Sequence, residues 1–550
     1  MIRWAVPLLA TLVTTLVNLG FWLYEGREHM LPDAGAAIAA SISFSPYLRG
    51  QSPFARVPPS LDAIAREVEA LAGRTAAIRT YSSMSGHEAI PRFARPLGMK
   101  VIQSAWVGRT PDETEREVDS LINLANRYPD TIERVIVGNE VLLRKDLTPA
   151  QLASYIRRVR HAVKQPVSYA DVWEYWLKYP EMAQEVDFIT IHILPYWEDV
   201  PIAVDHAMEH VMAVYRKVQA AFPGKPILIG EIGWPSQGRM RAGALPSLVN
   251  EARFMREFIA LARAQRLDYN LFEAYDQAWK RELEGTVGGS WGWLDQDMAP
   301  KFELAGPVSN DPDWRTHFMT AAGVGILASL LAAFWLHGGM RGWLAFAAAA
   351  QAYGTALVLD ADFISAISLT AFDKIAGAIG LAASLVAGGL LLRSLGETMI
   401  AGRPWPALPL PISAEALNLL RGRPEPGPLL GERMLGLCQF GFMLAAAVAS
   451  VALVIDPRYR DFPSPCFLVP AIGFTLLGLA GDGAAPWGAD LREEAVLVIL
   501  LVAGAIGVLV GEGLQNQQAI GWCVTLLLLA LPWMLKLAAL YRARRSAHPA

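Results

Sequence analysis

The sequence predicts an α/β chain built around a (β/α)8 TIM barrel, with an N-terminal transmembrane helix before it and a C-terminal polytopic α-helical membrane domain after it. Three observations carry this expectation. Between residues 33 and 314, short runs rich in Val, Ile and Leu alternate with charged amphipathic segments, the pattern of parallel βα units. Residues 4–24 carry almost no charge, and beyond His317 apolar stretches of membrane-spanning length recur to the end of the chain.

For the barrel, candidate strands fall at 42–44, 77–81, 100–105, 134–137, 167–170, 188–193, 226–230 and 270–274. Eight such runs suit a barrel of about 250 residues. The segments between them carry helix-start signals. Thr148-Pro149-Ala150-Gln151 reads as a capping box with Pro at the first helical position, and Thr110-Pro111-Asp112-Glu113 puts acids in a first turn, opposing the helix dipole. The expected domains are 1–30, 31–314 and 315–545.

For the membrane parts, residues 4–24 are long enough to span. A cleaved signal peptide also begins with a basic residue, here Arg3, but its apolar core is usually about 7–15 residues, so a retained anchor is the preferred reading. Seven further stretches lie near 318–336, 343–359, 375–392, 434–455, 467–479, 495–510 and 520–540, the one containing Pro470 being the weakest. About eight spans place both termini and the connection 394–433 on one face. That connection holds Arg403, Arg421, Arg423 and Arg433, and the tail holds Arg542, Arg544 and Arg545. The positive-inside rule makes this face cytoplasmic, so the sequence predicts a multi-pass inner-membrane protein with a periplasmic barrel. Charges in the spans, among them Asp360, Asp373, Arg393 and Asp456, are read as lying near span ends.

A hydrophobic content of 53% agrees with a membrane protein, and a formal net charge of −4 provides no basic field for nucleic acid. The three cysteines, Cys438, Cys466 and Cys523, all lie in the apolar second half. They leave the barrel without a disulfide and do not decide the compartment.

Chemistry points to two glutamates. Retaining glycoside hydrolysis needs two carboxyl groups about 5–5.5 Å apart, and in a barrel they belong at the C-terminal ends of different strands. Val135-Ile136-Val137-Gly138-Asn139-Glu140 and Ile227-Leu228-Ile229-Gly230-Glu231-Ile232-Gly233-Trp234-Pro235-Ser236 meet that demand on the fourth and seventh expected strands. Glu231 would raise the pKa of a nearby Glu140 by like-charge repulsion. Aromatic residues at expected strand ends, namely Tyr47, Tyr81, Trp173, Trp176, Tyr196, Trp197, Trp234, Trp279 and Trp291, offer faces for sugar rings or, equally, barrel core. Among them Tyr81, Tyr196 and Trp279 are preferred for substrate contact.

A strand ending in Gly-Asn-Glu and a later one ending in Glu-x-Gly-Trp-Pro-Ser resemble glycoside hydrolase family 17. Arg79-Thr80-Tyr81, Tyr275-Asp276-Gln277-Ala278-Trp279-Lys280, Trp291-Gly292-Trp293 and Pro300-Lys301 extend the resemblance over residues 41–302. The layout is similar to bacterial membrane-anchored members of the β-1,3-glucan transglycosylase or so-called β-(1,6)-glucan synthase type. The resemblance implies Glu140 as acid/base, Glu231 as nucleophile and Asn139 on the sugar 2-hydroxyl, with Tyr81, Tyr196, Trp234, Trp279 and Lys280 binding substrate. It implies no metal or organic cofactor.

Leu194 and Gln277 depart from the plant pattern, which has an aromatic hydroxyl and a Glu there. They leave open which group supports Glu231, and His192 is a polar candidate beside a plain structural role. The partners expected are a β-glucan, membrane lipid and a membrane glucan synthase. Transfer of glucan in the periplasm, giving β-1,6 links, branches or cyclic products, is favoured because a purely degradative enzyme has no need of seven further spans. A membrane-anchored endo-β-1,3-glucanase, and a glucan exporter with an accessory glucan-binding barrel, remain as alternatives.

Overall fold

A computed structural model describes residues 2–36, 38–48, 50–55, 57–405, 430–480 and 491–547. The chain divides into two compact units, Glu28–Val308 and a second composed of Met1–Arg27 with Ser309–Ala550. Helix α1 (Ile2–Glu25) belongs to the second unit.

Strand β1 (Glu28–Met30) opens the first unit, and its partner β10 (Pro307–Ser309) closes it. Between them β2 (Ile42–Ser43), β3 (Ala77–Arg79), β4 (Lys100–Ala105), β5 (Ile132–Asn139), β6 (Val167–Val172), β7 (Ile189–His192), β8 (Ile227–Ile232) and β9 (Asp268–Leu271) pair in sequence order. All neighbours are parallel, and β9 returns to β2 through Leu271 and Ile42, so the barrel closes. All eight expected strands are present. The last begins two residues earlier than its apolar run, at Asp268, and β8 extends past Gly230 to include Glu231.

Parallel strands buried on both faces read as continuous apolar runs, which is why Val135-Ile136-Val137 and Ile227-Leu228-Ile229 were legible. Inside the barrel Ile102, Ile136, Ala170, Phe188 and Leu228 form an apolar layer. A polar layer includes the Ser168–Thr190 hydroxyl pair at 2.8 Å and Asn270, whose amide donates to Ser43 Oγ at 2.7 Å and Gly230 O at 2.9 Å. A barrel interior is a packed core, and here its polar layer is hydrogen-bonded internally.

The helices of this unit include α2 (Leu61–Ala70), α3 (Ile90–Ala94), α4 (Pro111–Arg127), α5 (Pro149–Ala162), α6 (Trp173–Lys178), α7 (Val204–Ala221), α8 (Leu248–Gln265) and α9 (Arg281–Gly288). The expected capping box opens α5: Gln151 N donates to Thr148 Oγ1, and Thr148 N donates to Gln151 Oε1 at 3.0 Å. Thr110 precedes α4 without a side-chain cap, and Asp112 and Glu113 occupy its first turn.

The second unit adds α10 (Trp314–Trp335), α11 (Met340–Ile367), α12 (Ala371–Met399), α13 (Leu430–Ile455), α14 (Ser464–Ala480), α15 (Arg492–Glu512) and α16 (Gln517–Ala547). Among the described residues seven helices, α1 included, are long and apolar enough to cross a membrane, while α14 has 17 residues with Pro470 inside. The connection expected at 394–433 falls largely at 406–429, outside the described residues, and so do Arg421 and Arg423.

Helix α1 packs against α10 and α11. Asn18 Nδ2 donates to Gln351 Oε1, Gln351 Nε2 to Thr15 Oγ1, and Thr355 Oγ1 to Asn18 Oδ1, each at 2.9 Å. Asp360 corrects an expectation: α11 runs on to Ile367, so this carboxyl lies inside the helix, 2% exposed, and not at its end.

Candidate active site

Two local backbone features aim the glutamates. Gly138 has φ +86°, and a Cβ there would come within 2.7 Å of Val141 Cγ2. Glu140 itself takes φ +54°, a left-handed conformation uncommon outside glycine and concentrated at functional sites. Its amide is anchored to Ala170 O at 2.8 Å. On β8 the register shifts against β7: Ile191 faces Ile229, but His192 faces Glu231. This bulge, which takes up Gly230, re-aims the strand end and sets Glu231 opposite the imidazole.

Gly230 also has no room for a side chain. An added Cβ would stand 2.4 Å from Thr190 Cγ2 and 3.2 Å from Arg79 Nη1.

Arg79, fully buried at the end of β3, links these parts. Its Nη1 donates to Gly230 O at 2.6 Å and to Glu231 Oε1 at 3.3 Å, and its Nη2 donates to Asn139 Oδ1 at 2.7 Å. Both Nη atoms lie 3.5 Å from His192 Nε2, and His192 Nδ1 is 2.9 Å from Glu140 Oε1. The ligating atoms of Glu140, His192 and Glu231 all fall within 4.8 Å of one another.

Glu231 is 5% exposed, whereas the Glu140 side chain is 25% exposed. Burial pushes the Glu140 carboxyl above the ordinary range, and Arg144, Arg79 and Lys280 oppose the shift. The expected direction is present but its cause differs. Desolvation dominates, and the nearby cations Arg144, Arg79 and Lys280 work against it.

Tyr81 donates or accepts a 2.7 Å bond with Ser43 Oγ and lies against Arg79, 4.9 Å from guanidinium carbon to ring centroid. Trp279 packs edge-on against Tyr47 and Phe54 and donates to Gln277 Oε1 at 2.8 Å. Lys280 pairs with buried Glu273 at 2.6 Å. Tyr196 and Trp234 are 0% and 1% exposed, and their polar atoms donate to Arg239 O at 2.7 Å and Leu245 O at 3.0 Å. Those two rings support the wall from behind and present no face to a sugar.

Four contributors, Glu273, Asp171, Trp106 and Arg144, escaped the sequence reading. Glu273, raised to about 7 by burial and partly held down by Lys280, interacts with Glu231. Asp171, bonded to the Tyr169 hydroxyl, accepts from Leu143 N at 3.4 Å in the loop after Glu140. Trp106, 43% exposed, covers Arg144 at 4.5 Å, and Arg144 in turn donates to Asn139 O. Trp106 directly follows the apolar run of β4, a signal that the strand-end argument could have used.

Two carboxyls and an imidazole at this spacing could also hold a divalent cation. The Arg79 guanidinium already lies 3.3 Å from Glu231 and 3.5 Å from His192, and a second cation there would meet it at close range. The donor set therefore fits acid/base and nucleophilic work better than metal binding.

Residues 41–292, nearly the whole barrel, match the family model of the BtgE/BtgC glycoside hydrolase domain. The barrel is similar to a glycoside hydrolase domain. A probable glucan endo-1,3-beta-glucosidase from Aspergillus clavatus is 26% identical over 279 residues, which cover 45% of this chain and 39% of that protein. A glucan 1,3-beta-glucosidase from Arthroderma benhamiae is also 26% identical, over 45% of this chain and 86% of its own. The crystal structure of a glycoside hydrolase family 17 beta-1,3-glucanosyltransferase from Rhizomucor miehei is 29% identical over 48% of this chain and 95% of its own, with a TM-score of 0.41. None of these matched regions reaches beyond about half of the present chain.

Proposed function

We propose that the barrel is a retaining β-1,3-glucan glucanosyltransferase, with Glu140 as acid/base and Glu231 as nucleophile, held on the periplasmic face of a bacterial inner membrane. The observation that carries the chemistry is the spacing of the two glutamates. One carboxyl oxygen of each lies within 4.8 Å of the other's, which suits the separation of about 5–5.5 Å in retaining enzymes better than the about 6.5–9.5 Å of inverting ones. The β-1,3-glucan substrate comes from the names of the similar fungal proteins.

Glu231 would attack the anomeric carbon while Glu140 gives its proton to the leaving oxygen. Glu140, now a carboxylate, would then take a proton from the incoming hydroxyl as the glucosyl ester on Glu231 breaks. Asn139 is oriented for the 2-hydroxyl, because Arg79 occupies its carbonyl and leaves its NH2 to donate. Exposed aromatics lie in two loop regions of the catalytic face, Trp106 after β4 and Phe54 against Trp279. They supply sugar-binding surface for a donor and an acceptor chain, and transfer to β-1,6 positions or ring closure would use the acceptor side.

The names of the fungal proteins favour hydrolysis as a second reading, with water in the acceptor position. The deciding experiment incubates the detergent-solubilised protein with a defined β-1,3-gluco-oligosaccharide and follows product length and linkage. Products longer than the substrate are expected, and new 1,6 signals would identify branching. Only shorter products would leave the hydrolase, and no cleavage at all would favour the exporter with an accessory barrel.

A further inference from the structure

Arg79 touches more than the nucleophile, and its contact with His192 determines where a proton sits. His192 Nε2 lies 3.5 Å from both Arg79 Nη atoms and also 3.5 Å from Glu231 Oε1. A guanidinium has donors only, and Glu231 Oε1 already accepts from Arg79 Nη1 at 3.3 Å, so Nε2 meets two donors and one occupied acceptor and presents a lone pair. A neutral imidazole has one N–H, which is then on Nδ1 and points at Glu140 Oε1, 2.9 Å away. Burial keeps the ring neutral by pushing its pKa down to about 4. The titratable and charged groups facing it are Arg79 from β3, Glu140 after β5 and Glu231 on β8, while Lys280 and Asp171 reach it only through Glu140.

Building on the retaining mechanism above, we infer that His192 is a positioning residue that reserves Oε1 of Glu140 as an acceptor and so directs the acid proton to Oε2, the oxygen left for substrate. Its tautomer is set by the same arginine that pairs with the nucleophile. In the first step the proton leaves Oε2 for the glycosidic oxygen as the Glu231 ester forms. Through the intermediate, Nδ1–H stays on Oε1 of the new carboxylate. In the second step Oε2 takes a proton from the incoming hydroxyl while that oxygen forms its bond to the anomeric carbon and the ester breaks. No proton passes through the ring. Leu194 supplies no hydroxyl on this strand end, so a single imidazole faces both carboxyls.

The test compares His192→Phe and His192→Asn in the full-length protein on two donors, a β-1,3-gluco-oligosaccharide and the matching glycosyl fluoride, whose leaving group needs little acid help. His192→Phe should lose about 10- to 100-fold in kcat/KM on the oligosaccharide, the worth of a hydrogen bond to a charged group, and keep its rate of enzyme glycosylation by the fluoride within about threefold. Removing a donor from the Glu140 carboxylate raises its pKa, so the basic limb of the pH profile should move upward. His192→Asn, which retains an N–H, should recover part of the loss, and it serves as the folded control if the Phe variant is unstable. Equal losses on both donors, or an unmoved basic limb, would overturn the role of His192. If Glu231→Gln also leaves wild-type turnover intact, the retaining mechanism falls and the His192 inference with it, whereas turnover lost in Glu231→Gln confines the failure to His192.

Discussion

At Glu140 burial opposes ionisation, whereas Glu231 meets a guanidinium 3.3 Å away, and this difference in surroundings is what supports the proposed division of the pair into acid and nucleophile. In the proposed mechanism turnover requires Glu140 protonated, so activity should fall as pH rises through its raised pKa, at a higher pH than an ordinary glutamate would give. Glu140→Gln should abolish that basic limb and lower kcat on a gluco-oligosaccharide by about 10²–10⁴-fold, as read from a pH–rate profile. Glu231→Gln should stop turnover without disturbing the fold, and full activity in that variant would sink the nucleophile assignment. Gly230 is a subtler case. A methyl group there would stand 2.4 Å from Thr190 Cγ2 and press on Arg79, so Gly230→Ala should cost about 1–3 kcal/mol of stability. It should also reduce activity by displacing the arginine, while Gly306→Ala, where nothing lies within 4 Å, tests the strain of its left-handed backbone alone. Comparable activity loss in the two variants would count against the crowding argument.

The loops after β8 and β9 and helix α8 meet at one buried cation. Lys301 Nζ lies 2.8 Å from Ser236 Oγ, 3.0 Å from Asp276 Oδ1 and 3.0 Å from Glu251 Oε2. One lysine cannot neutralise two carboxylates, and Glu251 is the more buried of them, its pKa pushed up to about 8 from an ordinary 4.5, so Glu251 is the one that holds its proton. A carboxyl whose folded pKa is raised contributes stability that is complete below about pH 4.5 and is lost as pH rises through about 8. Glu251→Gln should therefore flatten the decline of Tm over that interval, and an unchanged slope would refute the assignment. Lys301→Met, which leaves the partly buried Asp276 without its cation, should lower Tm. The strands were legible because each is a continuous apolar run, and the glutamates because they follow two of those runs. What could not be read were contacts joining distant elements, such as Arg79 with Glu231 across 152 residues. Burial of Tyr196 and Trp234 was equally hidden, since an aromatic at a strand end looks the same in sequence whether it faces inward or outward.

In the second unit α1 is part of a bundle. Trp22 is 1% exposed, Ala10 is fully buried, and the Asn18–Gln351–Thr355 amide and hydroxyl ladder ties α1 to α11. Polar side chains in a membrane seek such partners, and removal of α1 would leave Gln351 without Asn18 and Thr15. The intact mass of the purified protein should therefore include α1, and a mature chain starting near Glu28 would contradict this. The direction of the whole chain then depends on α14. Its 17 residues extend about 26 Å at 1.5 Å per residue, slightly short of the roughly 30 Å hydrocarbon core. A short helix can still cross by local thinning of the bilayer at modest cost. If it crosses, the described helices make eight crossings, and the end of α16 lies on the side where α1 begins. If it does not, the end of α16, rich in arginine at 542, 544 and 545, emerges on the side away from the start of α1, against the charge bias that orients membrane proteins. The charge bias predicts that α14 crosses, and a C-terminal fusion reads it directly. A fluorescent reporter that matures only in the cytoplasm should be bright, and an alkaline phosphatase reporter at the same position should be inactive. The reverse pair of signals would mean that α14 does not span.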